Sequence, residues 1–178
     1  MIGSRTNIFS MEKNGTVNVI LATDINFGIG YEGDMPWPHN KEDMAWFKQN
    51  TNEDIVVMGR KTWDSIGRKK LPNRTNIVIT SKELEGADHV FSGDMGEIIE
   101  KVKGLYLADR DIWIMGGAEI YDQAIPYADK LYLTTFNNNY ICDTFVEENI
   151  IVKFPYVEYW SETLDDISFQ IRSKHKDA

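Results

Sequence analysis

Five stretches of the sequence combine residue types that can do chemistry with spacings that can bring them together. Asp43 precedes Trp46, Phe47 and Asn50 at i+3, i+4 and i+7, which places all four on one face of a helix. A carboxylate on an apolar face needs donors, and a flat, nitrogen-rich heterocycle would supply them. Helix-start electrostatics alone would also account for Asp43, since a first-turn carboxylate is favourable by roughly 0.3–1 kcal/mol. Glu42 serves that role equally well, off the apolar face. Three further places carry phosphate-binding groups at the ends of apolar runs: Met58-Gly59-Arg60-Lys61-Thr62, Thr80-Ser81-Lys82 and Gly116-Gly117-Ala118. Small residues and helix amino ends expose backbone N–H groups to phosphate oxygens, and Arg60 can bind a terminal phosphate through two N–H groups. One Gly-Gly is an ordinary tight turn; three such sites in one chain point to a dinucleotide.

The segment 24–38 is the fifth stretch. Gly28, Gly30 and Gly33 permit unusual backbone angles, and Met35-Pro36-Trp37 makes a stiff apolar end. It reads equally as a mobile lid or as a surface loop with a hydrophobic staple. Its glycine spacing is not a dinucleotide fingerprint.

The elements that must position these groups follow from periodicity. Short, mostly apolar runs at 17–23, 55–58, 76–80, 112–115 and 131–134 suit strands covered on both faces. Helical patterns fall between them at 42–50, 95–102 and 118–128, the last interrupted by Pro126. Extended runs at 156–164 and 167–173, separated by Asp165-Asp166, predict a closing hairpin. Alternation of this kind predicts an α/β fold with a mixed, mostly parallel sheet and an antiparallel edge.

At 178 residues the chain suits one domain, 17–178, preceded by a loosely held extension over 1–16. A formal charge of −9 argues against nucleic acid or an anionic membrane as a partner, so an anionic ligand needs a local basic pocket. Cys142 is the only cysteine, which rules out an internal disulfide and fits a reducing compartment. With no apolar run near the ~20 residues of a membrane helix and no signal-like start, the cytoplasm is the expected location.

With these residues in view, the chain resembles the dihydrofolate reductase family. The matching segments are Leu21-Ala22, Gly28-Ile29-Gly30, Met35-Pro36-Trp37, Asp43-Met44-Ala45-Trp46-Phe47-Lys48, Leu71-Pro72-Asn73-Arg74, Ile114-Met115-Gly116-Gly117 and Leu131-Tyr132-Leu133-Thr134. Most specific is Met58-Gly59-Arg60-Lys61-Thr62-Trp63-Asp64-Ser65-Ile66-Gly67-Arg68. The resemblance implies an eight-stranded sheet with helices on both faces and a C-terminal edge hairpin. It implies an NADPH-dependent oxidoreductase that reduces 7,8-dihydrofolate to 5,6,7,8-tetrahydrofolate for one-carbon metabolism and thymidylate synthesis. It also implies binding of antifolate-type inhibitors, a monomer, and no metal. Carried over by position, Asp43 is the acid of the pterin pocket, assisted by Trp37 and bridged by Thr134. Ile20, Ala22, Phe47, Met115 and Tyr121 complete the substrate walls, and Arg74 takes the glutamate α-carboxylate with Arg68 nearby. For the cofactor, Arg60, Thr80, Ser81 and Lys82 surround the 2′-phosphate. Gly59, Lys61, Thr62, Gly116, Gly117, Ala118, Glu119, Ile120 and Tyr121 face the pyrophosphate and ribose. Ala22, Ile29, Gly30 and Met35 close on the nicotinamide.

Some positions depart from the family pattern. The segment Pro38-His39-Asn40-Lys41-Glu42 is one residue longer than the short bacterial form. Glu119 stands where many members carry arginine, which would lower cofactor affinity. Asp143-Thr144-Phe145-Val146 keeps the Asp-Thr but lacks the usual Phe-Pro. Two rival readings are a reductase of the same fold acting on a ribosylated pyrimidine and a catalytically silent dinucleotide-binding subunit. Asp43 with Trp46-Phe47, and Arg74, favour folate over the first; an intact lid and acid disfavour the second.

Overall fold

The apolar runs become strands of a single sheet. In the computed structural model, which describes residues 15–106, 109–164 and 166–176, the chain runs β1 (Val17–Asp24), β2 (Gly28–Gly30), α1 (Lys41–Thr51), β3 (Ile55–Gly59), α2 (Arg60–Ser65), β4 (Thr75–Ile79) and β5 (His89–Phe91). It continues through α3 (Met95–Leu105), β6 (Ile112–Ile114), α4 (Ala118–Ala124), β7 (Lys130–Phe136), β8 (Thr144–Phe145), α5 (Ile150–Lys153), β9 (Tyr156–Glu162) and β10 (Ile167–Ser173).

Eight strands form one sheet in the order β5-β4-β3-β6-β1-β7-β10-β9, while β2 and β8 pair separately. The strands from β5 to β7 are parallel; β10 runs antiparallel to β7 and to β9, which is the expected edge hairpin. Alternation along β1 sorts the core. Val17, Val19 and Leu21 point to a face covered by Ile98, Ile99 and Val102 of α3 and by Ile120 and Ala124 of α4. Ile20 points to the other face, against Val56, Met58, Trp63 and Trp113, with Trp46 and Phe47 of α1 packed on that cluster. From β1 the chain steps to β3 and β4 under α1 and α2, then returns under α3 to insert β6 between β3 and β1. Crossovers of one hand that move in opposite directions must use opposite faces. The helices therefore diverge on either side of β6, the place where α/β sheets bind ligands.

Local signals explain the boundaries. Asn40 caps α1 by accepting from Asp43 N–H at 2.8 Å, and Asp94 caps α3 by accepting from Glu97 N–H at 3.0 Å. The helix expected over 118–128 stops at Ala124 and tightens into a 3-10 turn over Ile125–Tyr127, because Pro126 cannot donate into an α ladder. β5 and the β2–β8 pair are absent from the sequence reading. They have two or three residues each, too few for a periodic signal. Most of the extension lies outside the described residues, yet Thr16 is not loose. Its N–H and hydroxyl both bond to Asp111 Oδ1, at 3.1 and 2.9 Å. The outer strand β9 carries an irregularity in its register with β10 between Ile171 and Arg172.

The ends of β3 and β6 meet without spare room. Gly59 N–H donates to Gly116 O at 2.9 Å, and a Cβ on Gly59 would stand 2.9 Å from Ile120 Cγ1. Gly59→Ala is therefore expected to cost about 1–3 kcal/mol. The check is a lower urea midpoint at unchanged slope.

Candidate active site

Parallel strands deliver their carboxyl ends to one rim, so Ala22, Met58-Gly59, Thr80, Met115-Gly116 and Thr134 gather there. β1 and β6 pair only from Val17–Ile112 to Val19–Ile114 and then part. The released carbonyl of Ile20 accepts the Tyr121 hydroxyl at 2.8 Å, so the crevice opens without leaving a buried acceptor unpaired. Tyr121 is buried, and burial with the nearby Asp43 charge pushes its phenol far up; it acts as a fixed donor.

Asp43 stands in the first turn of α1, half-buried, and the Thr134 side chain is hydrogen-bonded to its carboxylate. Burial raises its pKa above the ordinary 3.8, and the bond with Thr134 partly counters the rise. Thr134 is 1% exposed and lies between Ala22 of β1 and Phe169 of β10 in the sheet register. At the other end of the same helix face, Thr51 Oγ1 accepts from Arg74 Nη1 at 3.0 Å, Arg74 Nε donates to Pro72 O at 2.9 Å, and the guanidinium lies 5.8 Å from the Phe47 ring centre. Asp43, Phe47 and Thr51 fall at i, i+4 and i+8, so acid and guanidinium are separated by ~12 Å along the helix. Burial lowers the pKa of Arg74.

Beside this groove lie the phosphate-binding candidates. Gly59↔Ile79 is a register pair, so Arg60 and Thr80 are the residues that follow the ends of two adjacent strands. Thr80, Ser81 and Lys82 line a cleft of about 480 Å³ with Leu84 and Phe91. Gly59 and Gly117 are the residues before α2 and α4 and neither helix has a side-chain cap. The Gly116–Gly117 peptide is cis, and a Cβ on Gly117 would find only Thr62 Oγ1, at 3.8 Å. This rim is bare backbone, which suits a phosphate-bearing cofactor.

The segment after β1 makes a tight turn of its own. Tyr31 and Asp34 exchange backbone bonds of 2.9 and 3.0 Å around Glu32 and Gly33, whose φ of 51° and 81° make the tight turn a glycine favours. Asp143 holds it from the β8 side. Its N–H donates to Gly30 O at 2.9 Å, and its Oδ2 accepts from Glu32 N–H at 2.8 Å.

A sequence profile described as dihydrofolate reductase matches residues 16–171. A dihydrofolate reductase of Haemophilus influenzae is 41% identical over 130 residues, 73% of this chain and 78% of that protein. One from Bacillus subtilis is 38% identical over 74% of this chain and 76% of its own length. Among solved structures, dihydrofolate reductase from Enterococcus faecalis complexed with NADP(H) and RAB-propyl superposes with a TM-score of 0.78 at 28% identity, covering 92% of this chain and 98% of that one. The chain belongs to the dihydrofolate reductase family. Reduction of dihydrofolate with NADPH is thus the chemistry that the crevice has to perform.

Seen as a dihydrofolate reductase site, most of the expected residues converge. Ile20, Ala22, Asp43, Phe47, Met115, Tyr121 and Thr134 surround the parting of β1 and β6 or the α1 face beside it. Glu119 is exposed on the first turn of α4, near Gly117. Three placements differ from the sequence reading. Arg68 is turned onto Asp64 at 2.8 Å with its side chain 69% exposed, rather than joining Arg74. Trp37 is 5% exposed and stacks on Phe136 at 4.3 Å, so it anchors the far end of the segment, while Met35 beside it stays exposed. Gly28 is buried and pairs with Phe145, so it is no free hinge. Sequence reasoning missed Phe136 and Asp24. Phe136 was legible as the continuation of the β7 alternation, two residues past Thr134.

Asp43 carries a linked prediction. A carboxyl whose folded pKa lies above its unfolded one binds its proton more tightly when folded. It withdraws stability as pH rises through the unfolded and then the folded value. Asp43→Asn, which stays neutral, should match the wild type in acid, overtake it as pH climbs past 3.8, and keep a constant lead near neutrality. Urea midpoints from about pH 3 to about pH 8 test this; parallel curves would place Asp43 in water.

Proposed function

We propose that Asp43 is the substrate acid of this reductase, and that the face of α1 measures the substrate. A pterin ring, its linker and a glutamate tail would run from Asp43 across Phe47 to Arg74. What supports this is the alignment of a half-buried carboxylate, an aromatic ring and a hydroxyl at i, i+4 and i+8 on one helix, with the Arg74 guanidinium held on that hydroxyl and beside that ring. Asp43 accepts from the pterin amide N–H and 2-amino group and favours protonation at N5, while Thr134 keeps the carboxylate oriented. Arg74 has two of its N–H groups committed to Pro72 and Thr51, which leaves Nη2 directed by a fixed guanidinium toward a carboxylate. Ile20, Ala22 and Phe47 supply apolar walls that exclude water.

When bound, NADPH supplies the hydride. Arg60, Thr80, Ser81 and Lys82 would hold its 2′-phosphate, and the bare backbone at Gly59 and Gly116-Gly117, with Lys61 and Thr62, its pyrophosphate. Met35 and the turn at Glu32-Gly33 would cover the nicotinamide, with Trp37 as the fixed end of that cover. Antifolate-type compounds with a protonated nitrogen ring would take the Asp43 site. The irregular outer edge at β9, whose Glu158 is paired with Lys130 at 3.1 Å, disfavours edge-to-edge assembly and supports a monomer. Among the described residues no helix is long and apolar enough to cross a membrane.

Turnover of dihydrofolate, followed as loss of reduced-nicotinamide absorbance, is the direct test. Asp43→Asn is expected to lower kcat/KM by ~10²–10⁴ at pH 7 with NADPH affinity unchanged, because the group touches substrate only. Wild-type turnover in the variant would remove Asp43 from the reaction. Arg60→Ala should weaken NADPH by roughly 10- to 100-fold, the worth of charge-assisted hydrogen bonds, and barely affect NADH. Equal losses for both cofactors in a binding titration would put Arg60 elsewhere.

A further inference from the structure

The carboxylate of Asp24 takes no part in the reaction described above, yet it is 1% exposed and surrounded by donors. Its Oδ1 accepts the N–H groups of Asn26 at 2.9 Å and Gly28 at 2.8 Å. Its Oδ2 accepts Tyr140 N–H at 3.0 Å and faces the Cys142 thiol at 3.7 Å. Two of these donors belong to the root of the covering segment and two to the connection between β7 and β8. Neighbouring bonds join the same two stretches, Ile25 N–H to Asn138 O and Asn26 Nδ2 to Asn139 Oδ1, and just past β8 Val146 N–H donates to Phe27 O.

The packing leaves no slack. A Cβ on Gly28 would overlap Cys142 Sγ, and Phe27, held at a φ of 64°, packs its ring against the main core. Burial and the Asp24 charge push the Cys142 thiol up, so it stays a donor. Withdrawing either stretch would leave a buried carboxylate short of hydrogen bonds, an expensive state in a protein interior. The tip of the segment is held differently. Glu32 bonds to the exposed carboxylate of Asp143, where water competes, and a Cβ on Gly33 would meet nothing within 4 Å.

We propose that Asp24 is a positioning residue that locks residues 25–29 to residues 138–142, so that the cover over the crevice hinges only beyond Gly30. The inference rests on the reading of that segment as the cover of the nicotinamide site. A buried lock at the root and a water-exposed hold at the tip would let the tip move while its base stays in register with Ala22. Phe136, the register partner of Asp24 on β7, is also the ring beneath Trp37, so both ends of the segment are referred to one strand.

The test is amide hydrogen exchange on the full chain, free, with NADPH, and with NADPH plus folic acid, alongside steady-state kinetics of Asp24→Asn. In the wild type, the Gly28 and Tyr140 amides should exchange slowly and equally in all three states, while residues 31–36 slow on binding. Asn keeps an acceptor for Asn26 and Gly28 but turns its amide against Tyr140 N–H. The variant should therefore exchange residues 138–142 at least ten-fold faster. Its kcat should fall roughly ten-fold or more per folded molecule, at an unchanged KM for dihydrofolate, because Asp43 and Arg74 are untouched. Unchanged exchange in the variant would remove the lock. Faster exchange with unchanged kcat would leave the lock and remove the cover from the reaction, which overturns the positioning role. If the variant does not fold, the wild type still decides: Gly28 and Tyr140 amides exchanging as fast as residues 31–36 would end the proposal.

Discussion

A parallel sheet can admit a ligand only where two neighbouring strands stop bonding to each other, and every backbone group released there must find another partner. Here the parting falls between β1 and β6, one residue beyond Val19 and Ile114. β6 keeps its bonds to the β3 side through Met115 N–H and Gly116 O, while the carbonyl freed on β1 is taken by Tyr121. That single substitution of a side-chain hydroxyl for a ladder bond lets Ile20 and Ala22 border a crevice instead of a continuous sheet. The direction reversal of the crossovers places α1 on one side of the opening and α4 on the other. The substrate groove and the phosphate rim are consequences of where those two helices begin.

Charge is handled locally. The chain carries a net −9, and both ligands of its reaction are anions. Arg74 and Arg60 stand where they would be needed, but their settings differ. Arg74 is partly buried and fixed by two bonds, whereas Arg60 is 42% exposed and only 3.7 Å from Asp64. A surface pair of that kind contributes little, so the Arg60 guanidinium is free to exchange its partner for a phosphate. Asp43 shows the opposite strategy. Its burial is unfavourable for its charged form, and the bond with Thr134 offsets only part of that cost.

The same carboxylate chemistry holds the segment over the crevice at two depths. Asp24 binds its donors in the interior and Asp143 binds its donors in water. Identical side chains thereby make a permanent contact and a competitive one, and the difference lies only in exposure.

From the residues alone, the order of strands and helices, the helical face of Asp43, Trp46, Phe47 and Asn50, and the closing hairpin were legible. Each depends on periodicity within a single element. The specific Met58–Arg68 block and its companion motifs also carried the family, because a site's residue types are written in the chain directly. Tertiary structure decided what depends on distant partners. Trp37 became an anchor because Phe136 lies under it, and Gly28 lost its freedom to Cys142 and Phe145. Asp24 read only as the first residue of the 24–38 segment until Tyr140 and Cys142, more than a hundred positions later, closed around it. A hydrogen bond between residues so far apart leaves no local pattern in either stretch; only the folded sheet, which sets β1 beside β7, brings them within reach.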